Sequence, residues 1–122
     1  MVKYNKKYNN NENISTLGKY RSIIFNDEKI LSYSPPKSLR YNSNFNIDGL
    51  KITEFCDGTM INLFYYKDKW EIATKSVIGA NCKYYVKQEK TYRDMFFEVI
   101  EKLNINLNIF NKNYSYSFIL QH

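Results

Sequence analysis

The chain has 122 residues, of which 43% are hydrophobic and 25% are charged, a balance that suits one folded domain and argues against disorder throughout. The net charge of +6 permits an anionic partner such as nucleic acid without demonstrating one. The two cysteines, Cys56 and Cys82, have no Cys-x-x-Cys spacing, and the single histidine is His122. This composition argues against a zinc site and a disulfide framework, so we expect no metal ligands of that kind.

The sequence indicates a cytoplasmic protein. No stretch approaches the roughly 18 consecutive apolar residues of a membrane span. The first twelve residues are polar and lack the apolar run of a secretory signal. Two cysteines without an evident pairing suit a reducing compartment. We therefore expect a soluble, cytoplasmic protein with no membrane partner.

The first predicted element is a hairpin that follows a polar tail. Residues 1–18 are rich in Asn and Lys and offer no packed face, so we expect a flexible tail and a domain that covers 19–122. Residues 20–26 and 29–34 are rich in β-branched, aliphatic and aromatic side chains around an Asn-Asp-Glu turn, which predicts two paired strands. After two prolines, 37–41 is predicted as one helical turn.

A second hairpin is predicted in the middle of the chain. Residues 51–55 form a short predicted strand, Asp57-Gly58 breaks it, and 59–66 form a longer strand of β-branched and aromatic residues. The polar residues 67–69 form a tight turn, and 70–75 return as the partner strand.

A helix and a last strand complete the predicted fold. From Thr91 the apolar residues recur at the spacing of an amphipathic helix, and Thr91 with Asp94 can form a capping box. Asn104 ends the helix, and 114–120 alternate as a final strand. The order predicts an α+β fold with a mostly antiparallel sheet and one amphipathic helix. Because the last strand reaches Leu120 with no turn after it, we expect a domain truncated at its C-terminal side. The expected core includes Trp70 and the apolar stripe of the helix: Tyr92, Met95, Phe96, Val99, Ile100 and Leu103.

The candidate functional residues surround the Asp57-Gly58 turn. Such a turn exposes a carboxylate and backbone amides at the end of a sheet, where a phosphate or sugar can bind. Glu54, Asp57, Gly58 and Thr59, followed by a hairpin that ends in Lys75-Ser76 and then Gly79, resemble the nucleotide-binding core of ATP-dependent RNA ligases of phages and large DNA viruses. These ligases belong to the covalent nucleotidyltransferase superfamily. Segments 21–38 and 116–122 resemble the flanking parts of the same domain.

The resemblance implies a nucleotidyltransferase domain that binds ATP, Mg²⁺ and RNA ends, and joins or repairs RNA by adenylyl transfer. It implies that Glu54, Asp57 and Gly58 contact the ribose or form the pocket wall. It also implies that Lys75 and Ser76 contact phosphate or an RNA end, and that Lys37 makes a peripheral phosphate contact. The choices between ATP and GTP, and between RNA and DNA, stay open.

One departure from the family pattern leaves the catalytic assignment open. The family's nucleophilic lysine corresponds to Phe55, and a benzyl group cannot form a lysyl-AMP. The family's distal motifs would lie beyond His122. The alternatives are therefore a catalytically inactive nucleotide- or RNA-binding module and a truncated remnant of such a ligase. Without the resemblance, we expect Glu54 to be a solvent-facing strand residue, Lys75 to lie at an exposed hairpin end and Cys56 to be a small buried residue.

Tyrosines and lysines are also interleaved along the chain, as in proteins that bind single strands. Coding bias produces the same mixture, so this pattern alone assigns no site. The residues concerned are Tyr65, Tyr66, Lys67, Lys69, Lys83, Tyr84, Tyr85 and Lys87.

Overall fold

A computed structural model describes residues 1–3, 5–8, 13–36, 38, 48–51 and 53–121. Within these ranges, no helix has the length and apolar character needed to cross a bilayer. The strands are β1 (Ile23–Phe25), β2 (Ile30–Tyr33), β3 (Thr59–Tyr66), β4 (Lys69–Thr74) and β5 (Tyr116–Leu120), and the α-helices are α1 (Ile14–Leu17) and α2 (Tyr92–Lys102). Short 3₁₀ turns lie at Lys6–Tyr8, Gly18–Tyr20 and Leu107–Ile109.

The strands form two antiparallel groups. β1 pairs with β2 as a hairpin, and β3 is the central strand of a three-stranded sheet in the order β4-β3-β5. Together with α2, these strands confirm the predicted α+β class with antiparallel sheets. Both predicted hairpins are present, and so is the predicted last strand.

The turn between β3 and β4 has the backbone twist that a two-residue hairpin needs. Tyr66 pairs with Lys69, and the two residues between them have positive φ, 47° at Lys67 and 61° at Asp68. Positive φ at both central positions is typical of a type I′ turn, whose twist matches that of the flanking strands. The predicted tight turn is confirmed.

Helix α2 begins and ends at the residues that the sequence indicates. The Thr91 side chain accepts a hydrogen bond from the Asp94 backbone N–H at 3.2 Å, and the Asp94 carboxylate accepts one from the Thr91 N–H at 2.8 Å. This reciprocal pair is the predicted capping box. At the other end, Asn104 has a φ of 50°, the left-handed conformation that commonly follows a helix and that Asn tolerates.

The central sheet is covered on both faces. On one face Ile61, Leu63 and Ile72 form the main core with residues of α2. On the other face Ile24 of the β1–β2 hairpin packs against Phe64 and Ala73. This alternation follows from the two-residue period of β3, which is buried on both sides. Trp70 and Tyr116 pack against the main core from its margin.

A buried polar chain joins the β1–β2 hairpin to the central sheet. Asn62, which is 1% exposed, donates from Nδ2 to the Ser34 hydroxyl at 2.7 Å, and its Oδ1 accepts from the Ser117 hydroxyl at 2.8 Å. A buried amide without partners would cost free energy, so these two bonds satisfy the groups that Asn62 brings into the interior. They also fix the hairpin over β3 and β5.

Four predictions fail. The described residues of 51–55 form no strand, because their side chains are exposed and bury no apolar face against the sheet. Cys56 is exposed rather than buried, because it lies on this surface connection. Leu103 is 64% exposed, since α2 has ended at Lys102 and Leu103 occupies its cap. Val99 is 38% exposed, because it faces away from the sheet side of α2. Met95 is partly buried against the core, and the buried residues of the stripe are Tyr92, Phe96 and Ile100.

The segment 1–18 contains defined structure in its described parts. Val2 and Ile23 exchange backbone hydrogen bonds of 2.8 Å in both directions, so the chain start adds a bridge to the edge of β1. Helix α1 follows at Ile14–Leu17. The helical turn predicted over 37–41 lies outside the described residues apart from Ser38, and the proposed boundary at residue 19 stays a prediction.

Candidate functional site

Three strand ends meet at one end of the central sheet. Thr59 at the start of β3 pairs with Leu120 at the end of β5, and Ile61 pairs with Thr74 at the end of β4. Because both pairings are antiparallel, the residues just before β3 and just after β4 and β5 emerge on the same side. The structure thus brings Asp57-Gly58, Lys75-Ser76 and Gln121 to one sheet end.

Gly58 enters β3 through a backbone conformation that other residues rarely adopt. Its φ is +151°, and a Cβ built there would lie 2.5 Å from the Leu120 carbonyl oxygen and 2.9 Å from Cγ2 of Ile119. Only a residue without a side chain fits at this approach to β5. The Asp57 carboxylate accepts a hydrogen bond from the Gly58 N–H at 2.9 Å, which fixes the carboxylate beside the turn.

Lys75 and Ser76 occupy a tight turn that Thr74 organises. The Thr74 Oγ1 accepts hydrogen bonds from the backbone N–H groups of Ser76, at 3.3 Å, and Val77, at 3.0 Å. The chain then folds back, and Ile78 bridges to Ala73. This hydroxyl-mediated turn holds Ser76 exposed and Lys75 half-buried at the sheet end.

A cleft of about 480 Å³ lies at the same sheet end. Its walls combine one carboxylate, two phenol rings, one aliphatic hydroxyl and a side-chain amide, a mixture that suits a small polar ligand with a planar part. The lining residues are Asp57, Gly58, Thr59, Tyr84, Tyr85 and Gln121.

The two tyrosines are brought to the cleft by the loop between β4 and α2. Gln88 supports this loop: its Oε1 accepts from the Tyr84 N–H at 3.1 Å, and its N–H donates to the Tyr85 carbonyl at 3.0 Å. The amide of Gln88 also lies 3.4 Å from Sδ of Met95 on α2. Gln88 therefore connects the loop to α2.

Tyr84 and Tyr85 form an edge-to-face pair of aromatic rings, each with a hydroxyl group. The rings of Tyr84 and Tyr85 meet edge to face, with centroids 4.4 Å apart. Both side chains are largely exposed, at 56% and 68%, so their faces can accept a stacked ring. A hydrogen bond with the Tyr84 side chain raises the pKa of Tyr85 above its ordinary value.

The predicted site residues are only partly gathered here. Asp57 and Gly58 line the cleft, whereas Lys75 and Ser76 lie at the same sheet end outside its lining. Glu54 is exposed on the connection before β3. Phe55 is 81% exposed, so this side chain is not part of the core. Lys37 lies outside the described residues.

Sequence reasoning missed Tyr84, Tyr85 and Gln121 as cleft residues. The two tyrosines stand out in sequence only as part of the mixture of tyrosine and lysine, which coding bias also explains. No sequence pattern indicated Gln121 as a site residue, because its position at the cleft depends on the pairing of β5 with β3. Long-range strand pairing is what assembles this cleft.

The described part of the chain holds no group of three or more His, Cys, Asp or Glu side chains arranged to bind a metal ion. Asp57 is the one carboxylate among the lining residues of the cleft. Mg²⁺ in nucleotide sites is commonly held by one or two carboxylates together with substrate phosphates. The donor set at the cleft therefore fits a metal ion that binds with a phosphorylated ligand better than a preformed protein cage.

Comparison with known proteins gives one informative similarity. An RNA ligase of Rhodothermus phage RM378 is 30% identical over 105 residues, which cover 80% of this chain and 24% of the relative. No protein-family model and no solved structure matches. The chain spans about a quarter of the length of the relative it matches. This distant similarity supports the resemblance to phage RNA ligases on which the sequence interpretation depends.

Proposed function

We propose that the chain is the nucleotide-binding part of an RNA-ligase-like nucleotidyltransferase and that the cleft at the sheet end binds ATP. The main support for this proposal is that Asp57-Gly58, the Lys75-Ser76 turn and a cleft lined by two tyrosines lie at one end of the sheet. The similarity to a phage RNA ligase supports the same assignment.

Each part of a nucleotide has a matching group in this proposal. The adenine ring stacks on the exposed face of Tyr84 or Tyr85, because aromatic side chains bind nucleobases through their flat faces. The Asp57 carboxylate and the Gln121 amide bind the ribose hydroxyls. Lys75, with a positive charge at the same sheet end, and Ser76 bind phosphate oxygens or an RNA end. Glu54 stays a candidate ribose contact from the neighbouring connection.

Bound Mg²⁺ would offset phosphate charge in this proposal. RNA ends are the proposed second substrate, and the cytoplasm is the proposed location. The charge of +6 favours association with a polyanion. The cleft residues would bind and orient the ligand. The loop that Gln88 supports would hold Tyr84 and Tyr85 at the cleft.

The alternative function is reversible nucleotide or RNA binding without a covalent step. Phe55 favours it, because this position corresponds to the nucleophilic lysine in the resemblance to ligases and a benzyl side chain cannot attack a phosphate. The two candidates share the same cleft and differ in whether AMP becomes attached to the protein.

Thermal stabilisation by ATP and the ATP affinity of two variants test the proposed site. ATP at increasing concentration should raise the melting temperature, as a ligand that binds only the folded state does. Tyr84→Ala should weaken ATP binding about 5- to 150-fold, the equivalent of roughly 1–3 kcal/mol for one stacking contact. Asp57→Asn keeps an oxygen acceptor for the Gly58 N–H and removes the charge, so it should weaken binding without unfolding the turn.

Asp27→Asn is the matched control, because Asp27 is an exposed acid at the turn of the β1–β2 hairpin and should leave ATP binding unchanged. Intact-mass spectrometry after incubation with ATP and Mg²⁺ separates the two functions. A mass increase of one AMP indicates adenylyl transfer, whereas binding without an adduct indicates the reversible module. Failure of ATP to stabilise the wild-type chain would refute the nucleotide site, and with it adenylyl transfer.

A further inference from the structure

The loop between β4 and α2 carries a lysine on each side of the tyrosine pair. Residues 83–87 read Lys-Tyr-Tyr-Val-Lys and are called the lysine-flanked loop below. The Gln88 N–H donates to the Tyr85 carbonyl at 3.0 Å, which closes a β-turn with Val86 and Lys87 at its two central positions. Val86 is 99% exposed, so the tip of this turn projects into solvent beside the cleft.

Hydrogen bonds attach the segment before this loop to the start of α2. The Tyr92 N–H donates to the Cys82 carbonyl at 2.9 Å, and the Arg93 N–H donates to the Ala80 carbonyl at 3.1 Å. Within the loop, the Tyr84 N–H donates to Oε1 of Gln88 at 3.1 Å. A loop whose backbone is already bonded in this way loses less conformational entropy when a ligand binds to it.

The two tyrosine rings of the loop face different directions. The planes of Tyr84 and Tyr85 are 88° apart, and both residues line the cleft. Two perpendicular rings cannot stack on one flat ligand, but each can stack on a separate one. Tyr85 is the more exposed of the two, at 68% against 56%, and it adjoins the tip of the turn. The pair therefore offers one stacking position for a nucleotide and a second one for another base.

The charges of the loop favour an anionic ligand. Lys83 and Lys87 are exposed, and the ion pairs among the described residues include neither of them. The carboxylate that interacts with Lys83 is Asp94, which caps α2. From Lys83 to the start of α2 the sequence has three lysines and one acidic residue, Glu89. Exposed aromatic rings with lysines beside them are the combination by which single strands are bound.

We infer that the lysine-flanked loop holds the end of a single-stranded RNA beside the nucleotide in the cleft. The adenine of ATP stacks on Tyr84, the last base of the strand stacks on Tyr85, and Lys83 and Lys87 bind the backbone phosphates that follow. This inference deepens the proposed function and rests on it for ATP and for RNA as the kind of strand. Its own support is the perpendicular ring pair with a lysine on either side.

Fluorescence anisotropy with a fluorescein-labelled oligouridylate 12-mer tests the two lysines. Each lysine that neutralises a phosphate of a single strand contributes about 0.7 to the slope of log affinity against log salt. Lys83→Gln combined with Lys87→Gln should therefore reduce the magnitude of this slope by about 1.4. The matched control is Lys19→Gln combined with Lys29→Gln, because these lysines are also exposed and lie outside the loop. The control should leave the slope unchanged.

The same assay tests the stacking position. Tyr85→Ala should weaken binding of the oligouridylate at least about fivefold, the lower bound for the loss of one stacking contact, whereas Tyr85→Phe keeps the ring and should bind like the wild type. An RNA duplex of the same length should bind less tightly, because its paired bases are not free to stack on the ring. Equal affinity for duplex and single strand would contradict the inference.

ATP binding by the lysine variant separates this inference from the proposed function. Lys83→Gln combined with Lys87→Gln should bind ATP like the wild type, whereas Tyr84→Ala should weaken ATP binding. If the wild type binds the strand through these lysines but does not bind ATP, the loop assignment stands and the nucleotide cleft fails. If the wild type binds ATP but not the strand, or if the lysine variant loses ATP affinity as much as RNA affinity, the inference is wrong.

Discussion

Gly58 and Leu120 approach so closely that a single added carbon atom would collide with the strand. A Cβ at Gly58 would lie 2.5 Å from the Leu120 carbonyl oxygen. This contact joins the start of β3 to the end of β5 beside the cleft. The cleft is thus attached to the sheet through a position that only glycine fills without strain.

Gly58→Ala should destabilise the fold and disturb the cleft. The positive φ and the contact with Leu120 both oppose a side chain, and together they should cost at least about 2 kcal/mol. Urea unfolding followed by circular dichroism measures this loss. Gly49→Ala is the control, because Gly49 also has a positive φ, 76°, but has no neighbouring atom within 4 Å of the added Cβ. Equal losses in the two variants would contradict the collision with β5.

Replacement of Asn62 should break the polar connection between the hairpin and the sheet. Asn62→Ala leaves the Ser34 and Ser117 hydroxyls without this partner and opens a cavity, so we expect a loss of about 2–4 kcal/mol. Ser117→Ala removes one bond and should cost about 1 kcal/mol. A double-mutant cycle in urea should show coupling between residues 62 and 117; additive losses would contradict a direct bond.

Asp68→Gly should stabilise the central hairpin. Asp68 has a φ of 61°, and glycine adopts this conformation without the steric cost that a Cβ carries. After the entropy that glycine adds to the unfolded chain, the net gain should be about 0.5 kcal/mol. Thermal unfolding should show a higher melting temperature, and a lower one would argue against the type I′ turn.

Glu98 should make stability depend on pH in the acid range. Hydrogen bonds from Lys102 and Lys90 hold the pKa of Glu98 at about 2, below its ordinary value of 4.5. Because the folded-state pKa is the lower one, this stabilisation is complete above about pH 4.5 and is lost as the pH falls towards 2. Glu98→Gln should flatten the fall in melting temperature over this range, and 1 M salt should reduce the difference.

Glu101→Gln is the comparison for this prediction, because it removes a carboxylate from the same exposed region of α2. It should leave the acid-range slope closer to that of the wild type. A Glu98→Gln slope identical to that of the wild type would rule out the ion pairs of α2 as a source of pH dependence.

Local patterns predicted most of the fold. The capping box at Thr91 and Asp94, the β3–β4 hairpin and the alternation of β5 each depend on residues close in sequence. The strand predicted at 51–55 is not formed, because the described side chains of this segment are exposed and bury no apolar face against the sheet. Whether a segment packs against a sheet is not visible in a local pattern.

The candidate site was predictable only where a backbone constraint marked it. Asp57-Gly58 is visible in sequence because few residue pairs make such a turn. Tyr84, Tyr85 and Gln121 reach the same cleft through a loop tied to α2 and through the pairing of β5, and both depend on contacts between distant residues. The family resemblance indicated the residues at this sheet end but not the Tyr84–Tyr85 pair that lines the cleft.

The most direct test of the nucleotide cleft is an amide NMR titration of the isotope-labelled chain with ATP and Mg²⁺. We expect the largest shift changes at Asp57, Gly58, Tyr84, Tyr85 and Gln121, with small changes at Tyr33 and Tyr114, which lie towards the opposite end of β5. Tyr84→Ala should reduce these changes at equal ATP concentration. An ATP titration that leaves the cleft amides unmoved, or moves those of another surface instead, would contradict the assignment of this sheet end as the nucleotide site.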